Sequence, residues 1–183
     1  QVVGAQLGSQ AISTSLKAGA IGLAIVMVFM IIMYAVPGIA ASLALAIYTT
    51  LVIATLYLFE ITLTLPGIAG IILGIGMAVD ANVIVFARVR EEIATGKSVQ
   101  TSMKIGFQKA MSAILDGNIT TLIASVVLMA LGSGTVKGFA YTLMIGIILS
   151  LFTAMVVTRY ILYSLYALGL KSEKLYGRAK ERK

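Results

Sequence analysis

Residues 18–59 contain no charged side chain, and that single run restricts the chain to folds that bury it in lipid. A helix rises about 1.5 Å per residue and the hydrocarbon core of a bilayer is about 30 Å thick, so one span takes about 20 apolar residues and the run holds two. Across the whole chain 60% of residues are hydrophobic and 11% are charged, against about a quarter charged in an ordinary soluble domain. There are too few polar groups to cover a water-facing surface. The run is also too long for the apolar core of a cleavable signal peptide and lacks a basic segment before it. The expected fold class is an all-α membrane protein.

Five segments have the length and apolarity of spans: A (18–36), B (39–59), C (66–86), D (119–136) and E (139–158). Pro37-Gly38 divides A from B, because proline cannot continue a helix and glycine permits a tight turn. Pro66 opens span C, since a first-turn proline lacks only an N–H that would be unpaired anyway. Between C and D, residues 98–113 repeat Val99, Met103, Phe107, Ala110 and Met111 at helical spacing, with Lys104, Gln108 and Lys109 elsewhere on the wheel. This pattern predicts an amphipathic helix lying on the membrane surface. Residues 1–17 form a lead-in, spans and connections occupy 18–169, and residues 170–183 form a basic tail.

The net charge of +7 is a topology signal rather than a nucleic-acid footprint, because its placement follows the loops. Arg88, Arg90, Lys97, Lys104 and Lys109 lie between C and D; Arg159, Lys171, Lys174, Arg178, Lys180, Arg182 and Lys183 follow at the end of E. Cytoplasmic loops are enriched in Lys and Arg. Two spans separate the basic loop from the basic tail, so both sit inside, and counting back puts the N-terminus outside. Since the chain starts at Gln1 rather than Met, an upstream span and external domain are expected.

The chain has no cysteine and no histidine, which removes disulfides, thiolate chemistry, imidazole relays and His-based metal sites. Proton chemistry then falls to carboxylates, and one lies inside a span. Asp80 is 14 residues past Pro66, about 21 Å along span C. A carboxylate at that depth costs about 2.5–3.5 kcal/mol on insertion scales and marks a functional site by default. Gly67, Gly70, Gly74, Ala78 and Ala81 form a small-residue arc that lets another helix approach closely. Ala69, Gly76 and Ala87 are expected to extend that arc to Asp80 and turn its carboxylate into the bundle. Asn82 lies about 160° round the wheel from Asp80. Asn118, Thr121 and Ser125 on span D are candidate polar partners for Asp80, whereas Asp116 reads as a solvated carboxylate near the boundary and Glu60 as an interfacial charge. No nucleophile with a base, phosphate loop or metal cluster is evident, so no enzyme chemistry, cofactor or metal is expected.

The passage LPGIAGIILGIGMAVDANVIVFARVREE (65–92) closely resembles the SecD family of bacterial protein-export subunits. VVGAQLGSQAI, GFQKAMSAILDGNITTLIASVVL and GSGTVKGFAYTLMIGIILSLFTAMVVTR agree with it, in order, over almost the whole chain. The AVDAN segment (78–82) is similar to SecD rather than to the related SecF. The resemblance implies an RND-type half of six helices, of which the first and a large external domain precede the spans seen here. It implies that the aspartate matching Asp80 takes part in using the proton-motive force. It also implies a bacterial inner-membrane location, a SecF-type partner, the SecYEG channel and SecA motor, and an exported preprotein handled by the external domain. Two readings compete with it: a proton-coupled small-molecule or lipid transporter half of RND type, and a structural membrane subunit whose Asp80 never titrates.

Overall fold

The structure is a computed structural model that describes residues 5–170 and 172–176. The described residues are helical with no strand: α1 (Ala5–Tyr34), α2 (Val36–Leu58), α3 (Leu65–Ala94), α4 (Val99–Leu131), α5 (Thr135–Phe152), a π-helical turn (Thr153–Val157), α6 (Thr158–Ala167) and α7 (Glu173–Tyr176). Five stretches are long and apolar enough to cross a membrane, with α5, the π turn and α6 forming the fifth. This is the all-α architecture of five spans that the sequence predicts. The tail positions Lys171 and 177–183, and residues 1–4 of the lead-in, lie outside the described residues; from Ala5 the lead-in is already part of α1.

The boundaries differ from expectation in ways that local chemistry explains. The break between the first two helices falls at Ala35, which has φ 49°, and Pro37 lies in the first turn of α2 rather than in the gap. Gly38 serves the crossing itself, because a Cβ there would collide with the Met30 carbonyl of α1. Thr64 caps α3, accepting a hydrogen bond from the Gly67 N–H at 3.1 Å. The fourth span stops at Leu131, short of residue 136, because Gly132-Ser133-Gly134 makes the turn and Gly134 has φ 51°, a conformation that favours glycine.

The largest departure concerns residues 98–113, which are not a separate surface helix. They are the first half of α4, a single helix of 33 residues, about 50 Å long. Gly117 alone does not break it, since one glycine costs a helix only about 1 kcal/mol. The apolar face of this half packs on α3: Val99, Met103, Phe107, Ala110 and Ile114 are buried together with Val85, Phe86 and Val89. At Gly106 the helices meet so closely that a Cβ would stand 2.8 Å from the Val89 backbone nitrogen. Glu92, 4% exposed, closes the α3–α4 hairpin by accepting from Lys97 in the connection and from Lys109 on α4.

Helix α3 is central. It packs most extensively on α5 and α4, and also on α1 and α2. A second cluster, toward the end of the bundle away from the basic residues, surrounds Tyr48 with Leu45, Val52, Leu56, Ile75 and Ala78.

Candidate functional site

The small-residue arc of α3 is buried along its whole length, from Gly67 through Gly70, Gly74 and Ala78 to Ala81. Each glycine meets a specific neighbour. A Cβ on Gly70 would strike the Thr142 hydroxyl of α5, and one on Gly74 would strike the Tyr48 hydroxyl of α2. Tyr48 is fully buried, its hydroxyl makes no hydrogen bond, and it rests in a saddle between Gly74 and Gly146. Small side chains here let three helices converge, as lipid supplies no hydrophobic force to drive them together.

Asp80 lies on the other side of α3. It is exposed, as are Ala69, Gly76 and Ala87, and this overturns the expectation that these residues extend the buried arc. The reason is the helical period. Six residues separate Gly74 from Asp80, so at about 100° each the carboxylate stands about 120° from the arc. Gly76 differs from Gly70 and Gly74 accordingly, with nothing within 4 Å of a Cβ built on it. The Asp80 carboxylate has no hydrogen bond or ion pair to any described residue.

The expected partners on α4 do not reach Asp80. Asn118 donates to the Ile114 carbonyl at 2.7 Å and Ser125 to the Leu122 carbonyl at 2.7 Å, both within α4. Thr121 is half-buried. Helix α4 packs at Val89, nine residues on from Asp80 and therefore on the far side of α3. Asp116 is exposed and accepts from Ser112 at 3.5 Å.

Asn82 is the buried amide of α3, enclosed together with several hydroxyl side chains of the neighbouring helices. It is 2% exposed, its Nδ2 donates to the Ala78 carbonyl at 3.1 Å, and its Oδ1 accepts from the Thr158 hydroxyl at 2.8 Å. Thr158 and Tyr48 escaped the sequence reading. The available signal was the series of hydroxyls Thr142, Ser150, Thr153 and Thr158 along the last span, all buried. No group of three or more acidic, His or Cys side chains is placed to hold a metal ion among the described residues.

A bundle of five membrane-crossing helices, whose central helix spends one glycine face on internal packing and presents a carboxylate on another, defines a multi-pass membrane protein with an uncovered polar position. Residues 1–167 match the family described as "Protein export membrane protein SecD/SecF, C-terminal", and the chain belongs to that family. It is 54% identical over 162 residues to the protein translocase subunit SecD of Synechocystis sp., covering 88% of this chain and 34% of that protein. It is 51% identical over 165 residues to the protein translocase subunit SecD of Acidaminococcus fermentans, covering 90% of this chain and 40% of that one. The fold matches the crystal structure of SecDF from Thermus thermophilus, a translocon-associated membrane protein, with a TM-score of 0.88 and 36% identity over 91% of this chain and 23% of that one. The chain thus spans less than half the length of these relatives.

Proposed function

We propose that this chain is the membrane-embedded part of a SecD-type subunit that assists protein translocation across the bacterial inner membrane, using the proton-motive force through Asp80. The observation that carries the reading is the placement of Asp80 on the open face of the central helix, flanked by Gly76, Ala69 and Ala87. A carboxylate facing hydrocarbon is costly, and intramembrane acids face a bundle interior or a water-filled path. Small neighbours on the same face fit close approach by another helix. The cover is a SecF-type membrane half, and Asp80 sits at the junction.

Protonation at Asp80 removes a charge from that junction and changes how the two halves pack. One charge crossing 100 mV supplies about 2.3 kcal/mol, enough to shift a two-state equilibrium by about 50-fold. No covalent chemistry is required of this chain, and the work on the preprotein belongs to an external domain acting with the SecYEG channel and the SecA motor. The basic α3–α4 connection and the C-terminal end face the cytoplasm, following the charge rule.

The test is translocation of a secretory protein in membrane vesicles containing the complete translocase, with and without a proton gradient. Asp80→Asn keeps the size and hydrogen bonding of the side chain but cannot ionise. It is expected to assemble normally and lose gradient-dependent stimulation, while Asp116→Asn retains it. Full stimulation in Asp80→Asn overturns the assignment.

A further inference from the structure

At the basic end of the bundle, a cleft of about 270 Å³ opens between α4 and the π turn and α6, floored by Val85 of α3. Its rim carries two cations, Lys104 on α4 and Arg159 on α6, with the Gln108 amide beside them. Four other cations of α3, the α3–α4 connection and α4 are engaged elsewhere, which makes these two distinctive. Arg88 pairs with Glu91, Lys97 and Lys109 share Glu92, and Arg90 donates to the Met33 carbonyl while lying over the Tyr34 ring. Lys104 and Arg159 have no carboxylate partner among the described residues, and both face the same cleft.

The Arg159 guanidinium lies 6.0 Å from the Phe107 centroid and 5.9 Å from that of Tyr163, at the outer range of a cation–π contact with each. Two aromatic neighbours favour a cation at this position, and its N–H groups have no carboxylate partner among the described residues and can bind an oxyanion. Below the cations the walls turn apolar, at Met111, Ile114 and Met155. On α4 the apolar surface continues outward through exposed Met111 and Leu115. Two unpaired cations above an apolar wall, on helices that cross the bilayer, match one ligand chemistry: a phosphodiester carrying acyl chains.

We propose that this cleft binds the headgroup of an anionic phospholipid, with Lys104 and Arg159 on the phosphate, Gln108 on a headgroup or ester oxygen, and an acyl chain against Met111 and Leu115. A zwitterionic lipid presents the same phosphate with a compensating cation, which the two basic side chains repel. The bound lipid bridges α4 to α6 at the level of Asn82 and Thr158 and holds the two helices in register. The proposal rests on the membrane placement of the helices and is independent of proton coupling at Asp80. Its readout is lipid occupancy, so its failure leaves the export reading intact.

The chain has no tryptophan, so Leu115→Trp gives a single reporter at an exposed position. In reconstituted vesicles its fluorescence is expected to be quenched more by phosphatidylglycerol brominated on the acyl chains than by brominated phosphatidylcholine at the same mole fraction. Lys104→Gln/Arg159→Gln in that background is expected to weaken the phosphatidylglycerol preference about tenfold. Lys137→Gln, at the other end of the bundle, is expected to leave it unchanged. Circular dichroism checks that the double variant keeps its helices. If it does not, native mass spectrometry of the unaltered protein, comparing retained phosphatidylglycerol with phosphatidylcholine, decides the question. Equal quenching or retention of the two lipids overturns the proposal. So does loss of the phosphatidylglycerol preference in millimolar inorganic phosphate at constant ionic strength, which would mark a free-anion pocket.

Discussion

The Thr158 hydroxyl donates to Asn82 Oδ1 at 2.8 Å, joining the middle of α3 to the first residue of α6. Thr158 directly follows the π-helical turn Thr153–Val157, where the regular hydrogen-bond ladder is interrupted, as is common at functional positions. Asn82 is two residues from Asp80 but about 160° round the helix, so this contact ties α6 to the enclosed side of α3, opposite the face that carries the exposed carboxylate. A hydrogen bond of this kind holds two helices at a fixed height without requiring a charge in the membrane.

Removing the contact has a defined cost. Interhelical hydrogen bonds in membranes contribute about 0.6 kcal/mol on average and up to about 1.7. Thr158→Val is expected to lower the stability of the bundle within that range, and Asn82→Ala by more, because it also removes volume. A double-mutant cycle on unfolding in detergent isolates the pair, and a coupling energy of zero shows that the contact contributes nothing.

Gly74 and Ile72 are two residues apart on α3 with opposite surroundings. A side chain at 74 collides with buried Tyr48, whereas Ile72 is 39% exposed. Gly74→Leu is expected to destabilise the chain by about 1–3 kcal/mol through overpacking, and Ile72→Leu by less than about 0.5 kcal/mol. Thermal unfolding in detergent compares them, and equal tolerance at the two positions refutes the close contact.

Much of this fold is legible in the sequence because the hydrocarbon core imposes a minimum apolar length. The five spans emerge from that requirement alone. Hydropathy is blind to where helices continue into water, so α3 runs on to Ala94 and α4 begins at Val99, both stabilised by packing on each other rather than by lipid. The buried glycine arc was also readable, since Gly67, Gly70, Gly74, Ala78 and Ala81 share one face. What failed was the extension of that arc to Asp80. A second set of small residues looks like a continuation until each is placed on the wheel, and Gly76 and Asp80 then fall on the side that none of the chain's own described helices covers. Thr158 was not readable as a partner for Asn82, because a pairing between residues so far apart in the chain depends on how the helices pack.

The orientation proposed from the charges can be tested directly, as the chain has no native thiol. Single substitutions Glu60→Cys, Lys97→Cys, Lys137→Cys and Lys174→Cys place label sites in the α2–α3 and α3–α4 connections, in the first turn of α5 and in α7. In intact cells an impermeant maleimide is expected to label positions 60 and 137 and to spare 97 and 174 until the membrane is opened. Labelling of 97 or 174 from outside inverts the topology.

Gly76 separates the packing of this chain from its assembly with another. It lies one turn before Asp80 on the same exposed face, and no atom stands within 4 Å of a Cβ built there. Leucine at this position therefore meets nothing in the chain itself, and Gly76→Leu is expected to change the stability of the isolated bundle by less than about 0.5 kcal/mol. If a SecF-type half covers Asp80, its helix must approach within the space that Gly76 leaves. The added side chain then holds the two apart and leaves the carboxylate poorly covered. Co-purification of the SecF-type subunit is expected to fall sharply in Gly76→Leu while the thermal midpoint of the isolated chain stays near that of the unaltered protein. Gly74→Leu is expected to behave differently, lowering the thermal midpoint first because its collision is internal. Full recovery of the SecF-type subunit with Gly76→Leu would move the interface away from this face, and another surface would then have to shield Asp80 from lipid.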